Sequence, residues 1–258
     1  MEIRTGLSYG DALLVPQRSA VDSRSDIDLT AQLTPSLSLD IPIVSAAMDT
    51  VTEAETATAL ADLGGLGVIH RFLSIEEQAA AVHEVAEQGG PVAAAVGIDE
   101  DYLDRTEAIL NAGGDAVVLD VAHGHMERAL DAVAEIRAEY DPELIAGNVV
   151  TPDAVEDLYD SGADCVKVGV GPGSHCTTRE VAGAGYPQLS AVDECADRAD
   201  ELGITVMADG GIQNSGDAAK ALMAGAETVM MGGFFAGTDE APGRVVTHNG
   251  ERFKRSRG

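Results

Sequence analysis

Eight short, continuously apolar runs recur along this chain, at 42–47, 66–70, 92–97, 116–121, 144–149, 165–171, 205–211 and 228–233. Strands with one wet face alternate polar and apolar residues, whereas unbroken apolar runs mark parallel strands covered on both sides. Helix-length stretches fill the gaps, at about 51–63, 74–88, 100–112, 126–139, 152–161, 188–203 and 214–224. Ser74 with Glu77 three residues on is a capping box, and Thr151-Pro152 places proline at a first helical position. Gly64, Gly89, Gly113, Gly162, Gly203 and Gly225 stand where helices should close. Strand and helix alternating in this way predict an α/β chain folded as a (β/α)8 TIM barrel. The competitor, an open doubly wound sheet, would be favoured by Gly-x-Gly-x-x-Gly after the first strand, and none is present. No linker or low-complexity stretch interrupts the pattern, so residues 1–258 read as a single domain.

The eight strands are followed by only seven helices. After Gly233 come a loop, a hairpin of 245–247 and 252–254 around Asn249-Gly250, and the basic end Lys254-Arg255-Ser256-Arg257-Gly258. The missing eighth helix implies either that the chain lacks a natural C-terminal part or that a partner covers the gap between strands eight and one.

Charge and cysteine usage bound the surroundings. There are 44 acidic residues against 16 basic ones, a net charge of −28, and the only lysines are Lys167, Lys220 and Lys254. The regular apolar pattern excludes disorder as the reason. An acidic, lysine-poor surface on a globular core suits high salt, where screening suppresses self-repulsion. The same charge opposes binding to nucleic acid or an anionic membrane, so any anionic ligand must be held by a local device, such as backbone N–H groups. No apolar run approaches the roughly 18 residues of a membrane span, and the N-terminus has no secretory pattern. Cys165, Cys176 and Cys195 are odd in number and not at metal-ligand spacing, which points to a reducing cytoplasm.

In such barrels the chemistry lies at the C-terminal ends of the strands. Strand seven ends in Asp209-Gly210-Gly211 and strand eight in Gly232-Gly233. Paired glycines there fit a phosphate site, with Asp209 accepting from ribose hydroxyls; they fit tight turns without a ligand as well. Strand six runs into Gly169-Val170-Gly171-Pro172-Gly173-Ser174-His175-Cys176-Thr177-Thr178-Arg179. This loop presents Ser174, Cys176 and Thr178 over the barrel mouth. Cys176 is a candidate nucleophile with His175 or Arg179 to lower its pKa, or an inert buried thiol such as Cys165 and Cys195 are expected to be. Strand four supplies Asp120, His123 and His125 as proton or ribose contacts, and a metal there would need a third ligand. Strand five ends in Asn148. Lys167, inside strand six, is expected to pair with a carboxylate or phosphate. Met48, after strand one, either packs on a flat ring or fills the core.

Taken together, the loop GVGPGSHCTTR with DVAHGH, GNVVT, ADGGIQNSGDAAKAL, VMMGGFFAGTDEAPG, SAAMDTVTEAE and GVIHRFLSIEEQ resembles the IMP dehydrogenase/GMP reductase family, in order and through essentially the whole chain. The resemblance implies a TIM barrel, usually a homotetramer. It implies that Cys176 bonds covalently to purine C2 while a hydride passes between C2 and NAD or NADP. Ser174, Asp209, Gly211, Gly232 and Gly233 would hold the ribose and phosphate of IMP, GMP or XMP, and Met48 would touch the purine. Asp120 and Asn148 would lie on the cofactor side, with Thr178 beside the thiolate. The carbonyls of Gly171, Gly173 and Cys176 resemble those that bind potassium in the dehydrogenase.

The resemblance points both ways on the reaction, with a lean to GMP reductase. Dehydrogenases usually carry an inserted pair of CBS modules after the second helix, whereas His83 to Gly90 here runs straight into strand three. GAGYPQLSAVDECAD is also reductase-like. SAAMDTVTEAE, HRFLSIEEQ and AHGH look more like the dehydrogenase, the alternative. The discriminating flap lies, in the family, beyond the hairpin and so beyond Gly258. With the sequence ending at Gly258, a nucleotide-binding pseudoenzyme is a third expectation. Ser256 stands where the family commonly has an aromatic phosphate contact.

Overall fold

A computed structural model of the chain describes residues 5–174 and 176–257. Eight parallel strands close into a barrel: β1 (Ile43–Ser45), β2 (Leu66–Ile69), β3 (Val92–Val96), β4 (Ala116–Asp120), β5 (Glu143–Val149), β6 (Cys165–Val168), β7 (Thr205–Asp209) and β8 (Thr228–Met231). Each pairs with its neighbours in sequence, and β8 pairs with β1 through Val229 opposite Ile43 and Met230 opposite Val44. The crossovers contain α1 (Ala54–Asp62), α2 (Ile75–Glu87), α3 (Tyr102–Asn111), α4 (Glu127–Tyr140), α5 (Pro152–Asp160), α6 (Gln188–Leu202) and α7 (Ser215–Met223). A single turn of helix, Thr178–Val181, lies in the long loop after β6.

The unbroken apolar runs are explained by two cores. Inside the barrel, Val44, Val68, Ala95, Val118, Ile145, Met207 and Met230 meet one another. Outside it, Ile69, Val117, Leu144, Val166, Val206 and Val229 pack under helix residues such as Val85, Ile109, Ile136, Leu158 and Val192. Both faces of every strand therefore need apolar side chains. Local signals set the helix ends. Ser74 Oγ accepts from Glu77 N at 3.2 Å while Ser74 N donates to the Glu77 carboxylate at 3.0 Å. The closing glycines lie in the left-handed region, Gly113 at φ 93° and Gly162 at φ 108° among them.

Among the described residues no helix follows β8, and the hairpin forms instead from Val245–His248 and Glu251–Lys254. Asn249 and Gly250 have φ of 52° and 83°, as a type I′ turn requires. The β8–β1 seam is hydrogen-bonded, and Val229 is fully buried without the expected eighth helix.

The barrel floor is a feature the apolar pattern did not reveal. Ala31–Gln32 and Ser38–Leu39 pair antiparallel and drive Leu33 and Leu39 into the inner core. Thr205 Oγ1 donates to Leu33 O at 2.5 Å, and the Glu143 carboxylate accepts from Thr34 and Ser36. Two-residue strands are too short to carry a period. With this end plugged, the other end is left open for a ligand.

Candidate active site

At the open end lies a cavity of about 650 Å³, the size of a nucleotide-class ligand site. Its wall brings together Met48 after β1, Asp120 from β4, Ser174 and Cys176 from the loop after β6, Asp209 to Gly211 after β7 and Gly232-Gly233 after β8. A second, smaller cavity of about 200 Å³ is bordered by Asp120, Asn148, Gly169 to Gly171, Cys176 and Thr178. Asp120, Ala122 and Cys176 border both. The two cavities thus meet at the thiol.

The glycines are required by packing as well as by the backbone. Gly210 and Gly211 have φ of 89° and 78°, and a Cβ on Gly210 would meet Pro172 Cγ at 3.0 Å. The β7 loop therefore fits against the β6 loop only as glycine; the Gly210 amide donates to Met230 O at 3.4 Å, and Gly211 borders the cavity with no side chain over its backbone. On the opposite wall a Cβ on Gly232 would lie 2.7 Å from Met48 Sδ. Bare backbone at 232 is what lets Met48 lie along the cavity wall.

Cys176 is an exposed free thiol. Its Sγ–H donates to Thr178 Oγ1 at 3.2 Å, and its amide donates to Gly173 O at 3.0 Å, which tightens the loop. Cys165 and Cys195 are buried, and burial pushes both thiols up to about 12. They are the inert thiols the sequence suggested. Arg179 does not point to the thiol. Its guanidinium donates to Tyr186 O at 2.8 Å, and its stem packs over Gly171 and Gly185. His175, the other candidate, lies outside the described residues. His123 and His125 border neither cavity; His125 Nε2 is 2.6 Å from Asp157 on α5, drawn outward by that carboxylate.

Lys167 is buried inside the barrel and pairs with Asp120 at 2.8 Å and Asp209 at 2.7 Å, the carboxylate partnership expected of it. Arg71 was not singled out by the sequence, yet it borders the second cavity. It lies two residues beyond the end of β2, donates to Asp99 at 3.2 Å, and its guanidinium carbon sits 5.4 Å from the Phe72 ring centroid. A basic residue one step beyond His70 at the end of a barrel strand was the signal available.

The sequence profile described as "IMP dehydrogenase / GMP reductase domain" matches residues 6–258. The chain belongs to the IMP dehydrogenase/GMP reductase family. Its sequence is 36% identical to an inosine-5'-monophosphate dehydrogenase of Nitrosopumilus maritimus, over 100% of this chain and 80% of that protein. It is 38% identical to one of Borreliella burgdorferi, over 97% and 74% of the two chains. It is 39% identical to one of Cryptosporidium parvum, over 93% and 70%. Among the described residues no helix is long and apolar enough to cross a membrane, and no three His, Cys, Asp or Glu side chains cluster as metal ligands.

Proposed function

We propose that the chain oxidises IMP at purine C2 with NAD, yielding XMP, and that Cys176 carries the purine between two steps. The observation that carries this reading is the place of Cys176 at the junction of the two cavities. IMP fits the larger one: Asp209 accepts from its ribose hydroxyls, Ser174 and the amides of Gly211, Gly232 and Gly233 take the phosphate, and Met48 lies against the base. Anion binding by backbone amides also suits a chain of net charge −28. Asp120 and Asn148 face the cofactor side.

Nicotinamide bound in the smaller cavity supplies the hydride acceptor. Thr178 Oγ1, which accepts from the thiol, turns donor once the thiol ionises and holds the thiolate beside C2. The thiolate adds to C2 and the C2 hydrogen departs as hydride. Water then adds at C2 and the thiolate leaves, so IMP, NAD and water become XMP, NADH and a proton.

The relatives named above, all IMP dehydrogenases, support this direction over the reductase lean of the sequence motifs. The match to the Nitrosopumilus protein spans 383 positions against 258 residues here, which supports a single domain without an inserted CBS pair. GMP reduction to IMP and ammonia with NADPH remains a second reading, on the strength of GAGYPQLSAVDECAD at 183–197. A potassium ion at the carbonyls of Gly171, Gly173 and Cys176, a cytoplasmic homotetramer and adaptation to concentrated salt complete the proposal. The Cys176 amide takes one lone pair of Gly173 O and leaves the other for an ion.

Assays in concentrated KCl test it. Reduction of NAD with IMP is expected. Oxidation of NADPH with GMP instead would transfer the chain to the reductase reading, and nucleotide binding without either turnover would make it a pseudoenzyme. Cys176→Ser should abolish turnover and retain IMP binding; turnover by that variant would refute the covalent step.

A further inference from the structure

Lys167 borders neither cavity, yet it touches residues of both. It rises from β6 inside the barrel with 1% of its surface exposed. An ammonium has three donors, and here they go to three other strands: Asp120 Oδ1 on β4 at 2.8 Å, Asp209 Oδ2 on β7 at 2.7 Å, and Asn148 Oδ1 on β5. Asn148 Nδ2 closes the ring by donating to Asp209 Oδ2 at 2.8 Å and to Gly169 O at 2.7 Å. Asp209 borders only the larger cavity, Asn148 only the smaller, and Asp120 both. Burial works to strip the ammonium of its proton, but Asp120 and Asp209 outweigh it and hold the pKa above the ordinary lysine value. Among the described residues Lys167 is the only cationic side chain paired with either carboxylate. The other titratable groups near the cluster are the Tyr9 phenol, which Asp209 helps push up, the Cys176 thiol on the shared wall, and the Arg71 guanidinium, which borders the smaller cavity with Asp120 and is paired with Asp99.

We propose that Lys167 is a positioning residue that holds Asp120, Asn148 and Asp209 as one unit and so couples the nucleotide cavity to the cofactor cavity. The proposal rests on the reading of those cavities given under Proposed function. Without the ammonium, two half-buried carboxylates are left on one site with no cation between them, and like charges so placed disfavour ionisation of the second. Both cavities then lose a fixed acceptor at once. A lysine that merely filled the barrel would give neither a linked loss nor a change in carboxylate titration.

Lys167→Met keeps the length of the side chain and removes the charge. Calorimetry with IMP and with NAD, on variants that melt cooperatively, should show both affinities falling at least tenfold together. Lys167→Arg keeps the charge but cannot aim three donors alike. It should weaken both ligands together too, and it gives the same test if the Met variant does not fold. Loss of one affinity alone, or of neither, would overturn the proposal. In ligand-free protein, carboxyl carbon NMR should show one of Asp120 and Asp209 titrating at higher pH in Lys167→Met and at its native pH in Lys167→Arg. An unchanged titration in the Met variant refutes the role of Lys167 even if no purine nucleotide binds, whereas absent nucleotide binding with the titration moved refutes only the assigned ligand.

Discussion

Gly169→Ala isolates how the loop after β6 supports the site. Gly169 has φ of 154°, and a Cβ there would lie 2.0 Å from Asp209 O and 3.0 Å from Gln188 Nε2. Gln188 Nε2 donates to Val168 O at 2.8 Å and to Asp209 O at 3.1 Å, so the methyl group would enter the junction that ties α6 to the ends of β6 and β7. An L-residue in that conformation costs about 1–3 kcal/mol, and the backbone movement needed to clear the overlap costs a further ~1–3 kcal/mol. The sum, about 2–6 kcal/mol, corresponds to a drop in melting temperature of roughly 5–20 °C for a domain of this size. Two companion variants separate the terms. Gly89 also has a positive φ, 80°, but nothing within 4 Å of its Cβ position, so Gly89→Ala should show the conformational cost alone, about 1–2 kcal/mol. Gly237 has open space and an ordinary φ, so Gly237→Ala should melt within ~0.5–1 kcal/mol of the native protein. Differential scanning calorimetry at fixed KCl gives the ranking, and IMP titration gives its functional side. Because the displaced atom is the carbonyl of Asp209, only Gly169→Ala should also weaken IMP. If Gly169→Ala melts with Gly89→Ala and binds IMP normally, the packing argument is wrong.

Further expectations follow from other parts of the molecule. In the native protein a thiol reagent at pH 8 should modify one cysteine, Cys176, and react with two more only after unfolding, because burial holds Cys165 and Cys195 up at about 12. Those two thiols ionise near the ordinary value of 9.0 once unfolded, so the stability they contribute is fully present below pH 9 and should drain away as pH rises toward 12. Leu33→Ala, at a fully buried position in the barrel floor, should cost about 2–5 kcal/mol in denaturant unfolding; a cost below ~1 kcal/mol would mean that the floor does not pack as described. With a net charge of −28, melting temperature should climb between low and molar KCl as the screening length falls from ~30 Å at 0.01 M to ~3 Å. An unchanged value would refute salt adaptation.

Much of the fold was legible because the signals that set it are local. A strand covered on both faces must be apolar throughout, so Val92–Val96 and Thr228–Met231 announced themselves without reference to their neighbours. Caps such as Ser74 with Glu77 are completed within four residues. The phosphate-type glycines and the thiol loop were legible for a related reason: barrel topology sends every strand's C-terminal end to one mouth, so Asp209, Gly232 and Cys176 had to be near one another. Only the tertiary structure decided what those ends do there. Barrel closure and register bring Asp120, Asn148 and Asp209, from three different strands, onto one ammonium at Lys167. They turn His125 out to Asp157 and leave Arg71 beside the second cavity. They set Cys176 on the wall between two cavities rather than inside one. None of these contacts joins residues close in sequence. A pattern along the chain reports which face a side chain takes, and the closed sheet alone fixes which side chains from distant strands meet.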